Sequence, residues 1–136
     1  MILVDTGPLV AAANRKDVDH DASVKALADA QATRLVPGVV IAEVAYLLAR
    51  DAGPLVEAAF LRSFDAGFLT VVESTVTDLN RAADLVEQYA DLPLGTTDAC
   101  VVAIAERLGI TELVTLDHRH FSVVRPSHVR ALTLLP

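Results

Sequence analysis

Apolar positions along this chain follow two rhythms. Short apolar-rich runs at residues 2–4, 34–37, 68–72, 112–116 and 131–135 are bounded by polar, Gly or Pro positions and predict five strands. Ile2, Leu3 and Val4 are unbroken by any polar residue, as expected of a strand buried on both faces. Between the runs, apolar residues recur three and four positions apart. That spacing predicts helices over 8–13, 22–31, 38–50, 55–66, 77–90 and 97–108. Strands alternating with helices predict an α/β fold, a parallel sheet covered on both faces, in a single domain spanning residues 1–136.

The same periodicity predicts which helix faces turn inward. They are Val24, Leu27 and Ala28 in the second helix, and Leu55, Ala59, Phe60 and Phe64 in the fourth. In the fifth they are Leu79, Ala82, Ala83 and Val86, with Asp78, Arg81, Asp84 and Glu87 outward. Pro8 is placed to start the first helix, Thr96 to cap the sixth and Gly109 to stop it. Residues 118–124 read as a loop or short turn. Asp17, Asp19 and Asp21 lack the glycine and closing glutamate of a calcium loop and read as a solvated turn. The helices over 38–50 and 55–66 carry few charges, which suits either ordinary core or a surface that accepts another chain.

Composition narrows the class. Hydrophobic residues make up 53 % and aromatics only 4 %, so the core is built from Leu, Val and Ala. No apolar run reaches the roughly 18 residues of a membrane span, and Met1 leads directly into the first strand; a cytoplasmic protein is the expectation. The single cysteine, Cys100, lies in an apolar run and is expected in the core. Eighteen acids against eleven bases give a formal charge of −7, which argues against a passive nucleic-acid-binding module. It does not exclude an enzyme that meets phosphate through bound metal ions.

Four acids stand beside apolar residues where acids are costly. Asp5 and Asp117 each follow a predicted strand, so in a parallel sheet both emerge at its carboxyl edge, where open α/β sheets place ligands. Glu43 interrupts an apolar helix, with Val40 and Leu47 on its own face. Asp98 sits in a helix's first turn with Val101 and Val102 next along that face. Each has a plainer explanation: Asp5 as a helix cap, Glu43 as an edge residue reaching solvent, Asp98 as a macrodipole contact and Asp117 as a turn initiator. Together the four suit metal-assisted phosphoryl transfer, because Mg²⁺ and Mn²⁺ take hard oxygen ligands and need compensating charge.

On these residues the chain resembles a PIN-domain ribonuclease, in particular the toxin of VapBC-type toxin–antitoxin modules. The matching pieces are Ile2 to Gly7, Glu43 within residues 39–45, Thr97-Asp98-Ala99, and Thr115-Leu116-Asp117 followed by Arg119, His120 and Phe121, in the family's order. The resemblance implies a three-layer α/β/α fold with a five-stranded parallel sheet in the order 3-2-1-4-5. It implies that Asp5, Glu43, Asp98 and Asp117 are the catalytic, metal-holding acids for Mg²⁺ or Mn²⁺, with Thr6, Thr97 and Thr115 supporting them. It further implies endonucleolytic cleavage of RNA, silencing by a cognate antitoxin in a hetero-oligomer, and homodimerisation. Arg119 and His120, and more distantly Arg15 and Lys16, are candidates to touch RNA phosphate; a solvated loop or a salt bridge to a neighbouring acid is the alternative.

Three other readings compete with this one. A haloacid-dehalogenase-like phosphatase needs a second aspartate two residues after the first, where Gly7 stands, and a late lysine, whereas the lysines are Lys16 and Lys25. A phospho-acceptor receiver domain needs an acidic pair after strand one and a lysine near Thr115 and Leu116. A non-catalytic PIN-fold scaffold that binds protein through the apolar helices has no reason to keep all four acids.

Overall fold

In the computed structural model, which describes residues 1–136, the strands are β1 (Ile2–Val4), β2 (Arg34–Pro37), β3 (Thr70–Val72), β4 (Glu112–Val114) and β5 (Thr133–Leu135). All pair in parallel, in the order β3-β2-β1-β4-β5. The register sets Leu3 beside both Leu35 and Leu113, and Val4 beside Val114. Successive strand residues point to opposite faces, yet Ile2, Leu3, Val4, Leu113 and Val114 are all buried. Both faces of the sheet's centre are therefore covered.

The helices are α1 (Thr6–Ala13), α2 (His20–Asp29), α3 (Gly38–Ala52), α4 (Pro54–Arg62), α5 (Val76–Gln88), α6 (Thr96–Leu108) and α7 (His118–Phe121), with a 3₁₀ turn at Ser63–Ala66. Crossovers from β1 to β2 and β2 to β3 step one way along the sheet, and that from β3 to β4 returns past β1. Right-handed connections then put α1–α4 on one face and α5–α6 on the other. The order reverses between β1 and β4, and that is where a crevice opens in sheets of this kind. Helix α6 is buried on every side from Ala99 to Ala105, so its amino end is fixed by the core itself.

Several boundaries and faces differ from expectation. Helix α1 begins at Thr6, so Pro8 lies in its first turn, where its missing N–H goes unused. Gly7 follows because the helix runs close to the sheet: a Cβ there would lie 3.2 Å from Leu116 Cβ. Helix α6 is entered from Gly95, and Thr96 makes no side-chain cap. Within residues 118–124, read as a loop or short turn, His118–Phe121 form a four-residue helix. Helix α2 buries Ser23 and Leu27 and exposes Val24 and Ala28. Leu55 is 85 % exposed while Phe60, met edge-on by Phe64, is buried. In short helices the periodicity fits more than one stripe, and docking selects between them.

Helix α5 shows the largest departure. Asp78 is buried, whereas Leu79, Ala83 and Val86 face outward. A capping box explains part of this: Asp78 N–H donates to Thr75 Oγ1 and Thr75 N–H donates to Asp78 Oδ2. The rest is Arg107 of α6, whose Nε lies 2.9 Å from Asp78 Oδ2. Burial works against the Asp78 charge, but the hydrogen bonds from Arg107 and Thr75 outweigh it and hold its pKa below the usual carboxylate range. A second bridge, Arg81 Nε to Glu106 Oε2 at 2.8 Å, fastens the same two helices, and Ser127 N–H donates to Glu106 Oε1. These pairs lock α5 and the loop before β5 onto α6. No helix is long and apolar enough to cross a membrane.

Candidate metal centre

The carboxyl edge of the sheet, at the reversal between β1 and β4, holds a cavity of about 430 Å³. Its walls are Asp5, Thr6, Gly7, Glu43, Asp98, Leu116 and Asp117, only one of them hydrophobic. All four acids expected from the sequence thus meet in one place. Asp5 follows β1, with its backbone N–H bonded to Val114 O of β4. Asp98 is in the first turn of α6, Glu43 comes from α3, and Asp117 leads into α7.

Thr115 ties the edge together. It is fully buried, and its hydroxyl donates to Asp5 Oδ2 at 2.8 Å while accepting from the Asp117 backbone N–H at 3.0 Å. Asp117 Oδ1 in turn accepts from the His120 backbone N–H, which caps α7. Asp117 therefore acts as a turn initiator and still presents Oδ2 to the site. His120 Nδ1 lies 2.7 Å from that oxygen and 3.2 Å from Asp98 Oδ2. Of the two readings of His120, a phosphate contact or a salt bridge to a neighbouring acid, the structure shows the second, with the ring set on two of the acids. The i, i+3 spacing of Asp117 and His120 hints at their own contact, and nothing in the sequence marks the one with Asp98.

The remaining candidates stand apart from the cavity walls. Thr97 is half-buried beside Asp98, and Arg119 is exposed on α7. Arg15 and Lys16 are exposed in the connection between α1 and α2, where Asn14 and Asp17 side chains bond to local backbone N–H groups. A larger cavity of about 590 Å³, near Ile2, Lys25, Asp29 and Glu112, gathers no comparable set of like charges: Lys25 pairs with Asp29.

Electrostatics mark the acidic cluster as strained without a counter-charge. Burial pushes the Asp5 carboxyl above its usual range; the Thr6 amide and the Thr115 hydroxyl pull it back, and Glu43 and Asp117 add to the rise. Burial, with repulsion from Asp5 and Asp117, pushes Asp98 up to about 6, against the pull of His120. In the folded chain Asp98 therefore holds a proton that the unfolded chain has lost between roughly pH 4 and 6. Stability of the cation-free protein should fall as pH rises through that window, on the order of 2 kcal/mol from this group. Urea melts in chelator at pH 5 and 7.5 should show the protein more stable at pH 5, with the difference reduced in Asp98→Asn. An equal difference in both proteins would contradict the assignment.

The donor set fits a hard divalent cation. Four carboxylates supply only oxygen ligands and the compensating charge. Thr6, whose buried Oγ1 has no hydrogen-bond partner, is one of the residues lining the same cavity.

Comparison with known proteins shows the family. Residues 2–125 match the family model of the PIN domain. The chain belongs to the PIN domain family. Across 99 % of its length, and 100 % of the relative's, it is 34 % identical to Ribonuclease VapC26 of Mycobacterium tuberculosis, so this PIN domain is of the VapC kind. The crystal structure of Mycobacterium tuberculosis VapC20, a sarcin-ricin loop cleaving toxin, superimposes with a TM-score of 0.85 at 22 % identity, covering 96 % of this chain and 99 % of that one. A toxin–antitoxin complex from Klebsiella pneumoniae contains a chain with a TM-score of 0.70 at 18 % identity, covering 95 % of this chain and 100 % of that one. At those identities the two structures establish a shared fold. The expected strand order 3-2-1-4-5 is the PIN order found here.

Thr115→Val tests the bridge between Asp5 and Asp117. The variant keeps the buried shape but leaves Asp5 Oδ2 and the Asp117 N–H without their partner, at a cost of about 2 kcal/mol. Thermal unfolding should show the loss, and Mn²⁺ titration should show about tenfold weaker binding. Unchanged cation affinity would make Thr115 a packing residue only.

Proposed function

We propose that this protein is a metal-dependent endoribonuclease, the toxin of a toxin–antitoxin pair, acting in the cytoplasm through a single PIN domain over residues 1–136. The observation that carries the reading is the convergence of Asp5, Glu43, Asp98 and Asp117 in one cavity at the sheet's switch point. Its 34 % identity to Ribonuclease VapC26 supports RNA as the substrate class. Asp5, Glu43, Asp98 and Asp117 would hold Mg²⁺ or Mn²⁺. Such a cation, when bound, activates water and neutralises charge developing on the phosphodiester.

The chain's own residues supply the rest. Thr115 fixes Asp5 and the Asp117 backbone in one frame, and the buried α6 holds Asp98 opposite them. The net charge of −7 gives the bare protein no basic footprint for a polyanion. Arg119, exposed next to His120 in the chain, is the residue proposed to meet a backbone phosphate of the substrate. Arg15 and Lys16 remain candidates for a more distant contact.

An antitoxin partner is supported by the structurally similar toxin–antitoxin complex. It is also supported by an apolar groove of about 360 Å³ between α1, α2 and α4, whose walls include Leu9, Leu27, Val56, Phe60 and Phe68. The outward Val76, Leu79 and Val86 of α5 suit self-association into a homodimer.

The test is incubation of total RNA with purified antitoxin-free protein, with Mg²⁺ or Mn²⁺ and with chelator. Endonucleolytic products that appear only with the cation support the reading. Bound cation with intact RNA across transfer, ribosomal and messenger classes would favour a non-catalytic scaffold.

A further inference from the structure

The reading of the cavity as a cation site leaves His120 unassigned. Its Nδ1 and the facing oxygens of Asp98 and Asp117 lie within 4.8 Å of one another, with Nδ1 at 2.7 Å and 3.2 Å from the two oxygens. Adjacent ligand atoms around a six-coordinate ion with bonds of about 2.1 Å are about 3.0 Å apart. The nitrogen therefore stands at ligand spacing from both carboxylates. Nothing about the ring's place is loose. The His120 backbone N–H is fixed by Asp117 Oδ1, the next residue, Phe121, is buried in the core, and the His120 side chain is only 20 % exposed.

We propose that His120 is a nitrogen ligand of the cation held by Asp98 and Asp117, and that it biases the site toward first-row transition ions such as Mn²⁺ over Mg²⁺. This rests on the metal-centre reading above and goes beyond it by naming a fifth donor and an ion preference. Mg²⁺ is hard and keeps oxygen and water around it, whereas imidazole nitrogen suits first-row ions such as Fe²⁺, Ni²⁺ and Zn²⁺ best. Mn²⁺, the weakest of that row, still accepts it more readily than Mg²⁺. In the cation-free protein Nδ1–H donates to Asp117 Oδ2. A cation bound there would displace that proton to solvent, leaving a neutral ring that binds through the Nδ1 lone pair and carries its proton on the partly solvated Nε2. An all-carboxylate site lacks this source of discrimination. The alternative is that the ring serves only as a counter-charge to the acids, and it predicts the opposite response to removing the ring.

Pulsed EPR of the Mn²⁺-loaded full chain, with calorimetric titrations of Mn²⁺ and Mg²⁺ into wild type and His120→Gln, separates the two. The proposal predicts ¹⁴N coupling to Mn²⁺ in wild type that is lost in His120→Gln. It also predicts that Mn²⁺ affinity falls about tenfold or more in the variant while Mg²⁺ affinity changes far less. Mn²⁺ bound to wild type without ¹⁴N coupling, or a parallel rise in both affinities in the variant, would overturn the ligand role and leave the metal centre standing. Absence of Mn²⁺ binding by wild type would overturn the metal centre, and this proposal with it.

Discussion

Asp5→Asn is expected to reduce RNA cleavage by at least about a thousandfold, a barrier increase of about 4 kcal/mol, with the fold retained. The asparagine carbonyl can still accept the Thr115 hydroxyl, so the bond that orients the residue survives. What disappears is one negative charge from a buried position already pushed up by burial and by Glu43 and Asp117. Losing it relieves repulsion in the cation-free protein and weakens attraction for the cation. The variant should therefore melt at the same temperature or higher in chelator, yet bind Mn²⁺ poorly. Single-turnover cleavage beside a thermal melt measures both. A variant that cleaves normally would remove Asp5 from the chemistry, and one that unfolds would make it structural.

The largest stability effect is expected far from the cavity. Arg107→Ala leaves Asp78, 2 % exposed, without its partner. Breaking a buried pair from one side costs about 3–5 kcal/mol; because Arg107 itself is about one-third exposed, we expect the lower end, near 3 kcal/mol. The same guanidinium donates to Glu73 O, so the entry to α5 loosens as well. The Asp78 pKa is lowered in the folded state, so this stabilisation is present at neutral pH and lost as pH falls through the carboxylate range. Urea denaturation at pH 7.5 should show the full loss and at pH 3.5 a smaller one. A loss under 1 kcal/mol at neutral pH would mean that water reaches Asp78 once Arg107 is gone.

These two outcomes mirror how the sequence could and could not be read. Asp5, Glu43, Asp98 and Asp117 were legible because each stands against apolar neighbours, and a parallel sheet brings strand ends to one edge whatever the loops do. The five strands were legible because their apolar runs are bounded by Pro, Gly and polar residues. Asp78 was not, because its reason for burial is Arg107, 29 residues along the chain, and an acid on a helix is outward by default. Leu79 and Leu55 face outward against their periodicity because the inner face of a short helix is decided by the docking partner. Ring placement at His120 needed the geometry of a four-residue helix capped by Asp117, which no periodicity records. Thr115 could be named as a supporting residue, but its two hydrogen bonds depend on the register of β4 against β1.

The most direct test of the central claim is RNA cleavage by metal-stripped protein as Mn²⁺ or Mg²⁺ is titrated back, run beside Asp98→Asn. The account predicts no cleavage in chelator, saturable recovery with added cation, and recovery in Asp98→Asn only at much higher cation concentration or not at all. Cleavage that persists in chelator, or an Asp98→Asn titration identical to wild type, would contradict it.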